Sequence, residues 1–214
     1  MRLAIFDLDG TITRHDTLAG YVLGYLLRHP WRLPRALGVT AALLGYGLRL
    51  CDRGALKAAL MRSALGGVRR ADLDRWTEQF VARLLARATF ASARERISAH
   101  ARAGDHLVLM SASPDLYVPA IARSLGFQEV ICTRVRWRGQ RLDGRLATAN
   151  CQGEEKARCL RQLRERVPGE ASAYGNSMAD IAHLALVEHG VLVNGSARAR
   201  RAARRAGLTC ERWR

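Results

Sequence analysis

The chain begins with a short apolar run that ends on two aspartates. Leu3 to Phe6 precede Asp7 and Asp9, and the turn-like residues Gly10 and Thr11 follow. Such a run is typical of a buried strand that delivers its last residues to a loop. Burying carboxylates without partners costs much free energy, so this pair requires a cation or a reaction. Residues two apart on a strand point the same way, which lets both side chains face one pocket.

The same pattern of an apolar strand followed by polar loop residues recurs along the chain. Strands are predicted at 106–110, 171–174 and 191–193, and each precedes a helix-like segment, at 114–125, 178–188 and 197–206. Strands that alternate with helices predict an α/β fold, with a Rossmann-like, mainly parallel sheet covered by helices on both faces. Because ligands bind such sheets beyond the carboxyl ends of the strands, the polar residues there are the candidate site.

Residues 14–103 contain no convincing strand, and their apolar residues recur at helical spacing. We interpret this stretch as a helical insertion over the active face, which leaves a core domain of 1–13 and 104–214. Tyr25, Trp31 and Trp76 are interpreted as core residues of the insertion. A β-hairpin is predicted within 133–146, with its turn at 138–140.

Asp7-Leu8-Asp9-Gly10-Thr11 resembles D-x-D-G-T, the first motif of the haloacid dehalogenase-like phosphotransferases. The other motifs follow in the family's order: Ser111 matches the second, Lys156 the third, and residues 175–180 resemble the fourth, G-D-S-x-x-D. The resemblance covers nearly the whole chain. It implies a haloacid dehalogenase-like core and identifies the insertion with the type 1 cap of the phosphoserine phosphatase-like branch.

The resemblance implies a magnesium-dependent phosphatase. Asp7 would attack phosphorus and form an aspartyl-phosphate, Asp9 would donate and accept the proton, and Lys156 would neutralise charge beside Mg²⁺. The expected phosphate-binding residues are Gly10 and Thr11, whose backbone N–H groups would face the phosphate, together with Ser111 and Ala112. The expected metal residues are Asp7, Asp9, Asn176 and Asp180.

The fourth motif departs from the family pattern, because Asn176 stands where an aspartate is usual. An amide oxygen can still ligate Mg²⁺, but the site loses one charge, so we expect weaker metal affinity and a larger share for Asp180. Asp180 has an alternative interpretation as a helix cap or an arginine partner. Ser113, which precedes Pro114, is interpreted as a helix cap.

The formal net charge is +16, from 35 basic and 19 acidic residues spread along the chain. Such an excess favours anionic partners or reflects an arginine-rich composition.

The five cysteines show no C-x-x-C spacing, and the N-terminal residues do not form an export signal, which together favour the cytoplasm. The longest uncharged run, residues 36–48, is shorter than the roughly 18 residues that a bilayer-crossing helix needs.

Residues 21–35 combine aliphatic, aromatic and basic side chains, a composition typical of segments that lie in a lipid interface. A pair of buried helices would have a similar composition. This segment and residues 150–156 are similar to the phosphatidylglycerophosphatase C-like group. We therefore expect a lipid head-group phosphate as substrate, with peripheral contact to anionic membrane at its inner face and no nucleic-acid partner. The alternatives are a phosphatase of a small soluble metabolite such as phosphoserine, and a catalytically decayed protein that binds membrane or RNA.

Overall fold

The strands assemble into one six-stranded sheet in which every pairing is parallel. The computed structural model describes residues 2–48, 50 and 52–214, and the strand order is β3-β2-β1-β6-β7-β8. This confirms the predicted α/β, Rossmann-like fold. The strands of the sheet are β1 (Leu3–Phe6), β2 (His106–Pro114), β3 (Glu129–Thr133), β6 (Ala171–Gly175), β7 (His189–Val193) and β8 (Thr209–Glu211). β3 and β8 were not predicted.

β1 lies in the middle of the sheet because both of its faces are apolar. Leu3 and Ile5 pack into one hydrophobic cluster, and Ala4 and Phe6 pack into the other, on the opposite face. Strands covered on both faces read as continuous apolar runs, as this one does. β1 pairs with β2 on one side and with β6 on the other. The loops after these three strands therefore meet at one edge, where the chain order of the sheet reverses.

Helices flank the sheet: α6 (Ala91–Arg102), α7 (Val118–Leu125), α8 (Glu154–Arg166), α9 (Ile181–Leu184) and α10 (Ala197–Arg205). Two predicted helices are shorter than expected. The helix predicted from residue 114 begins at Val118, because β2 continues through Pro114. The helix predicted over 178–188 consists of a 3-10 turn, Met178–Asp180, followed by α9, and β7 begins at His189.

Most of the predicted insertion folds into α1 (Thr17–Arg28), α2 (Leu33–Ala36), α3 (Thr40–Gly47), α4 (Arg53–Leu65) and α5 (Arg70–Arg87). The carboxylates of Asp16 and Asp52 cap α1 and α4, accepting from the amides of Ala19 and Ala55. Cys51 lies outside the described residues. Within the described residues, no helix has the length and apolar character needed to cross a membrane.

The aromatic residues of the insertion divide into two groups. Tyr25 and Trp76 are buried as predicted, but Trp31 is 70% exposed, so its assignment to the core was wrong. Trp31 lies in the 3-10 turn Pro30–Arg32 that follows α1, beyond the face of α1 that packs inward. Helix α6, the last of the insertion, packs on the sheet, where His100 lies 2.8 Å from the hydroxyl of Tyr174.

The predicted hairpin is confirmed, with β4 (Val135–Arg138) antiparallel to β5 (Arg141–Leu146). It does not join the main sheet. Instead its backbone bonds to the loop between α4 and α5: the amide of Gly67 donates to Leu142 at 2.8 Å, and the amide of Leu142 donates to Val68 at 3.0 Å. The hairpin thus ties the core chain to the inserted helices.

We predict that Gly144→Ala destabilises the protein more than Gly139→Ala in the same hairpin. Both glycines have positive φ, +84° and +55°, which costs an L-residue about 1–2 kcal/mol. A Cβ at Gly144 would also lie 2.6 Å from the backbone of Arg62, whereas one at Gly139 meets open space. Urea unfolding should show a clearly larger loss of unfolding free energy for Gly144→Ala. Equal losses in the two variants would mean that the close contact between Gly144 and Arg62 of α4 does not affect stability.

Candidate active site

Asp7 lies at the carboxyl end of β1 and is buried. Its amide continues the sheet by donating to the carbonyl of Tyr174 at 2.9 Å. One carboxylate oxygen, Oδ1, accepts from Nζ of Lys156 at 2.7 Å, and the other, Oδ2, accepts from the hydroxyl of Thr11 at 3.0 Å. The carboxylate is therefore held in one orientation by two donors from different parts of the chain.

Lys156 links two carboxylates that are distant in sequence. From the first turn of α8 its buried ammonium donates to Asp7 at 2.7 Å and to Asp180 at 2.9 Å. Burial alone would lower the pKa of Lys156, but the charges of Asp180 and Asp7 outweigh it and raise the pKa above its ordinary value. The lysine remains protonated and supplies one positive charge to two negative groups.

The two carboxylates do not share this charge equally. Burial raises the pKa of Asp7 to about 7 despite the opposing effect of Lys156, and the neighbouring charges of Asp180 and Asp9 add to the increase. For Asp180, Lys156 and donors from Ser177 outweigh burial and hold the pKa well below its usual range. The ionised form of Asp7 is thus incompletely compensated, which favours the approach of a further cation.

Asp9 is held by side chains that the sequence analysis did not select. Thr17 donates to its Oδ1 from both the amide, at 2.6 Å, and the hydroxyl, at 2.7 Å. Ser113 donates to Oδ2 at 2.6 Å. Burial raises the pKa of Asp9, while these hydrogen bonds act in the opposite direction. Ser113 lies within β2, which continues through Pro114, so its interpretation as a helix cap was wrong.

The predicted role of the Gly10 and Thr11 amides also needs correction. The amide of Gly10 donates to Thr13 at 2.8 Å and that of Thr11 to Leu8 at 3.3 Å, so both are used within the loop and not directed at a phosphate. Gly10 has a different function in the fold. Its φ is +79°, and a Cβ there would lie 1.9 Å from Nδ2 of Asn176. Only glycine lets Asn176 approach the loop so closely.

Ser111 and Ala112 lie on β2 beside Asp7 and Asp9. The buried hydroxyl of Ser111 accepts from the amide of Ser113 at 3.0 Å, which leaves its hydrogen available to donate. Ala112 lines the same cavity as the two aspartates. Ser111 itself is fully buried and is not among the described residues that line the cavity, so the phosphate-binding roles of Ser111 and Ala112 stay predictions.

The fourth-motif residues close the site at the end of β6. Asp180 accepts from the amide and hydroxyl of Ser177, at 2.9 and 2.6 Å, and from the amide of Asn176 at 3.2 Å. Asp180 therefore caps the turn and also pairs with Lys156. Within the part of the chain that the structure describes, no three His, Cys, Asp or Glu side chains form a cluster able to hold a metal. Asn176 and Asp180 both line the cavity.

Sequence reasoning also missed Lys57. This residue of α4 reaches the site from the insertion and donates to the carbonyl of Ala112 at 2.5 Å and to Oδ1 of Asn150 at 2.7 Å. Burial lowers its pKa. A signal was present in the sequence: of the 35 basic residues only Lys57 and Lys156 are lysines, and both lie in the site.

The aspartates open into a cavity of about 630 Å³ between the sheet edge and the inserted helices. Asp7, Asp9, Lys156, Asn176 and Asp180 line its floor, so the structure brings together the carboxylates, the lysine and the amide that the motifs selected. The rest of the lining is mixed: Arg14, Arg53 and Lys57 are basic, Leu18, Leu56 and Leu60 are apolar, and Asp16, Ser113, Gln152 and Ser177 add an acid and polar groups. The cavity has room for more than a phosphate group.

Comparisons with known proteins agree with this arrangement. The chain is 33% identical to protein CicA of Caulobacter vibrioides over 199 residues, which cover 87% of this chain and 83% of that protein. It is 29% identical to phosphoserine phosphatase SerB1 of Mycobacterium tuberculosis over 210 residues, covering 95% and 68%. A crystal structure of a protein of unknown function from Bordetella pertussis shares the fold, with a TM-score of 0.81, 23% identity and coverage of 98% and 97%.

A family model described as haloacid dehalogenase-like hydrolase matches residues 4–185, from β1 to the end of α9. The match includes each residue that the motifs selected, from Asp7 to Asp180. The chain therefore belongs to the haloacid dehalogenase-like hydrolase family, among the phosphatases of its phosphoserine phosphatase-like branch.

Proposed function

We propose that this phosphatase hydrolyses its phosphomonoester through an aspartyl-phosphate on Asp7, with Mg²⁺ as cofactor. The observation that carries the proposal is the buried Asp7 carboxylate, fixed by Lys156 at 2.7 Å and open to the cavity. A carboxylate that is oriented but incompletely neutralised is suited to attack phosphorus once a cation completes the compensation.

Asp9 is suited to the proton transfers. When an oxygen of Asp7 bonds to phosphorus, the bond from phosphorus to the ester oxygen breaks, and Asp9 gives its proton to that leaving oxygen. A water molecule then attacks phosphorus, gives a proton to Asp9 and releases phosphate and free Asp7. The raised pKa of Asp9 supports the protonated form that the first step requires, and Thr17 and Ser113 hold the carboxyl in place.

The residues present fit a magnesium ion, an oxygen-preferring cation. Asp7, the backbone carbonyl of Asp9 and the side-chain oxygen of Asn176 would hold it, with Asp180 beside them; the family generally uses this metal. Gly10 supports this assignment, because its missing side chain lets Asn176 lie against the loop that carries Asp9. When bound, the ion would neutralise the repulsion between Asp7 and the phosphoryl oxygens.

We propose a lipid head-group phosphate, such as that of phosphatidylglycerophosphate, as the substrate. The cavity of about 630 Å³ exceeds the needs of a phosphate, and Leu18, Leu56 and Leu60 give part of its wall an apolar character. We assign residues 14–103 as the cap over this cavity, since α4 supplies Lys57 to it. The alternative is a soluble substrate such as phosphoserine, which the name of the relative SerB1 favours.

Asp7→Asn should lower magnesium-dependent phosphate release by about 10⁴-fold or more, as expected when a nucleophile is removed. The matched control is Asp74→Asn, an exposed carboxylate of α5, which should retain activity. Phosphate release from p-nitrophenyl phosphate measures both. Full activity in Asp7→Asn would refute the proposed nucleophile, and wild-type protein without any activity would favour the decayed, membrane- or RNA-binding alternative.

Asn176→Asp should lower the Mg²⁺ concentration for half-maximal activity, by about tenfold, because it adds a negative charge next to the proposed cation. Asn176→Ala should raise that concentration, since it removes an oxygen ligand. Magnesium titrations of phosphate release compare the two variants. A half-saturating concentration that is the same in all three proteins would show that Asn176 does not contact the metal.

A substrate screen separates the two substrate classes. Purified protein is assayed against phosphatidylglycerophosphate in micelles, phosphoserine and sugar phosphates, with and without Mg²⁺. We expect the highest kcat/KM for the lipid, because leucines form part of the cavity wall. A strong preference for a soluble metabolite would reject the lipid proposal and leave the proposed roles of Asp7 and Asp9 intact.

A further inference from the structure

A second cavity, of about 480 Å³, lies outside the active site between α1, α5 and the hairpin. Five arginines line it, and among its described lining residues Asp72 is the only acid; the arginines are Arg28, Arg32, Arg69, Arg75 and Arg141. We call this cavity the arginine groove. Asp72 already pairs with Arg75 at 2.5 Å. The groove therefore carries a large uncompensated positive charge.

Backbone carbonyls orient two of these arginines without neutralising them. Arg32 donates to the carbonyl of Ala64 at 3.0 Å, and Arg141 donates to that of Gly67 at 2.8 Å. Carbonyl acceptors satisfy guanidinium N–H groups but bring no countercharge. Guanidinium groups with free charge and fixed position are suited to phosphate oxygens.

Exposed apolar side chains begin at the rim of the groove. Trp31 lines the groove and is 70% exposed. Leu27 and Leu33 are the chain neighbours of the lining residues Arg28 and Arg32, Leu23 lies about one turn before Leu27 on α1, and these leucines are 68%, 45% and 57% exposed. We call these four residues the apolar rim. Among the described residues, all exposed large hydrophobic side chains except Met178 lie between Leu23 and Leu50. Such concentration marks an interaction surface, because single exposed leucines are usually scattered.

The charge of this segment identifies the partner. Residues 17–51 contain no aspartate or glutamate, although the segment carries several arginines. We propose that the arginine groove and the apolar rim form a docking surface for the anionic lipid bilayer. Head-group phosphates would occupy the groove, and the rim would enter the boundary between head groups and acyl chains.

A nucleic acid fits the same surface less well. A polynucleotide would use the arginines but leave Leu23 and Leu27 in water, whereas a bilayer accepts both kinds of side chain. The acid-free segment, residues 17–51, also includes α3, which contributes a residue to the active-site cavity. Tyr46 of α3 is 37% exposed, lines the active-site cavity and accepts a hydrogen bond from Arg53 at 3.2 Å. The docking surface does not depend on the phosphatase mechanism, but it brings a membrane close to that cavity.

Vesicle flotation tests the proposal with the full-length protein. Vesicles of phosphatidylcholine with phosphatidylglycerol are compared with vesicles of phosphatidylcholine alone. We expect binding to the anionic vesicles only, weakened roughly tenfold or more in Arg69→Gln/Arg75→Gln, since each basic residue near the surface contributes appreciably. Leu27→Ser/Trp31→Ser should also weaken binding. The control Arg201→Gln/Arg204→Gln removes the same charge from exposed positions of α10 and should bind like wild type.

The proposal would be overturned if the wild type did not bind anionic vesicles, or if the α10 control weakened vesicle binding as much as the groove variant. It would also be overturned if RNA displaced the protein from vesicles while Leu27→Ser/Trp31→Ser left vesicle binding unchanged. A dimer in solution that Leu27→Ser/Trp31→Ser dissociates would assign this surface to a second copy of the chain and overturn it too. Hydrolysis of p-nitrophenyl phosphate should be unchanged in all variants, because none of these residues lines the active-site cavity. That assay also separates failure of docking from failure of the proposed function.

Discussion

The site is organised around one buried ammonium group between two carboxylates. Lys156 contacts Asp7 at the end of β1 and Asp180 in the turn after β6, and all three side chains are buried. Each carboxylate would be costly to bury alone, and removal of the lysine would leave both uncompensated. The pairing of β1 with β6 brings the two aspartates to one sheet edge, and α8 carries the lysine to them. The shared charge leaves room for a further cation, which the chemistry of phosphoryl transfer needs.

A close approach of backbone and side chain complements this charge arrangement. Gly10 permits Asn176 to lie against the loop after β1, and Gly175 permits Asp180 to fold back, since a Cβ there would lie 2.6 Å from Cβ of Asp180. Gly10 thus allows the fourth motif to approach the first, and Gly175 allows the close turn within the fourth motif. The amides of Asn176 and Ser177 orient Asp180, and these hydrogen bonds do not depend on the charge of residue 176.

The helices of residues 14–103 line the active-site cavity on one side and carry exposed apolar residues on the other. On the side of the sheet, α4 sends Lys57 to the carbonyl of Ala112, and the hairpin bonds back to the loop after α4. On the outer side, leucines and Trp31 remain exposed beside the arginine groove. Trp31 lies in the 3-10 turn that follows α1, beyond the face of α1 that packs inward, and it is therefore exposed. Exposure of the outer face depends on what packs against α1, and the periodicity of one segment does not contain that information.

The α/β fold and the two aspartates could be predicted from local sequence, and the resemblance to the family motifs added Lys156, Asn176 and Asp180. An apolar run that ends on two aspartates specifies a strand and a polar loop, and parallel pairing then gathers the loops of β1, β2 and β6 at one edge. The partners of Asp9 could not be predicted, since Thr17 and Ser113 reach it from α1 and β2 through contacts between distant segments. The same holds for Lys57, and for the amides of Gly10 and Thr11, which turn inward to their own loop. Sequence by itself selected the candidate residues, because charge at a strand end needs a partner or a function and the family motifs added Lys156, Asn176 and Asp180. The tertiary structure decided how those residues are held and which surfaces stay open, because hydrogen bonds and burial depend on neighbours far away in the chain.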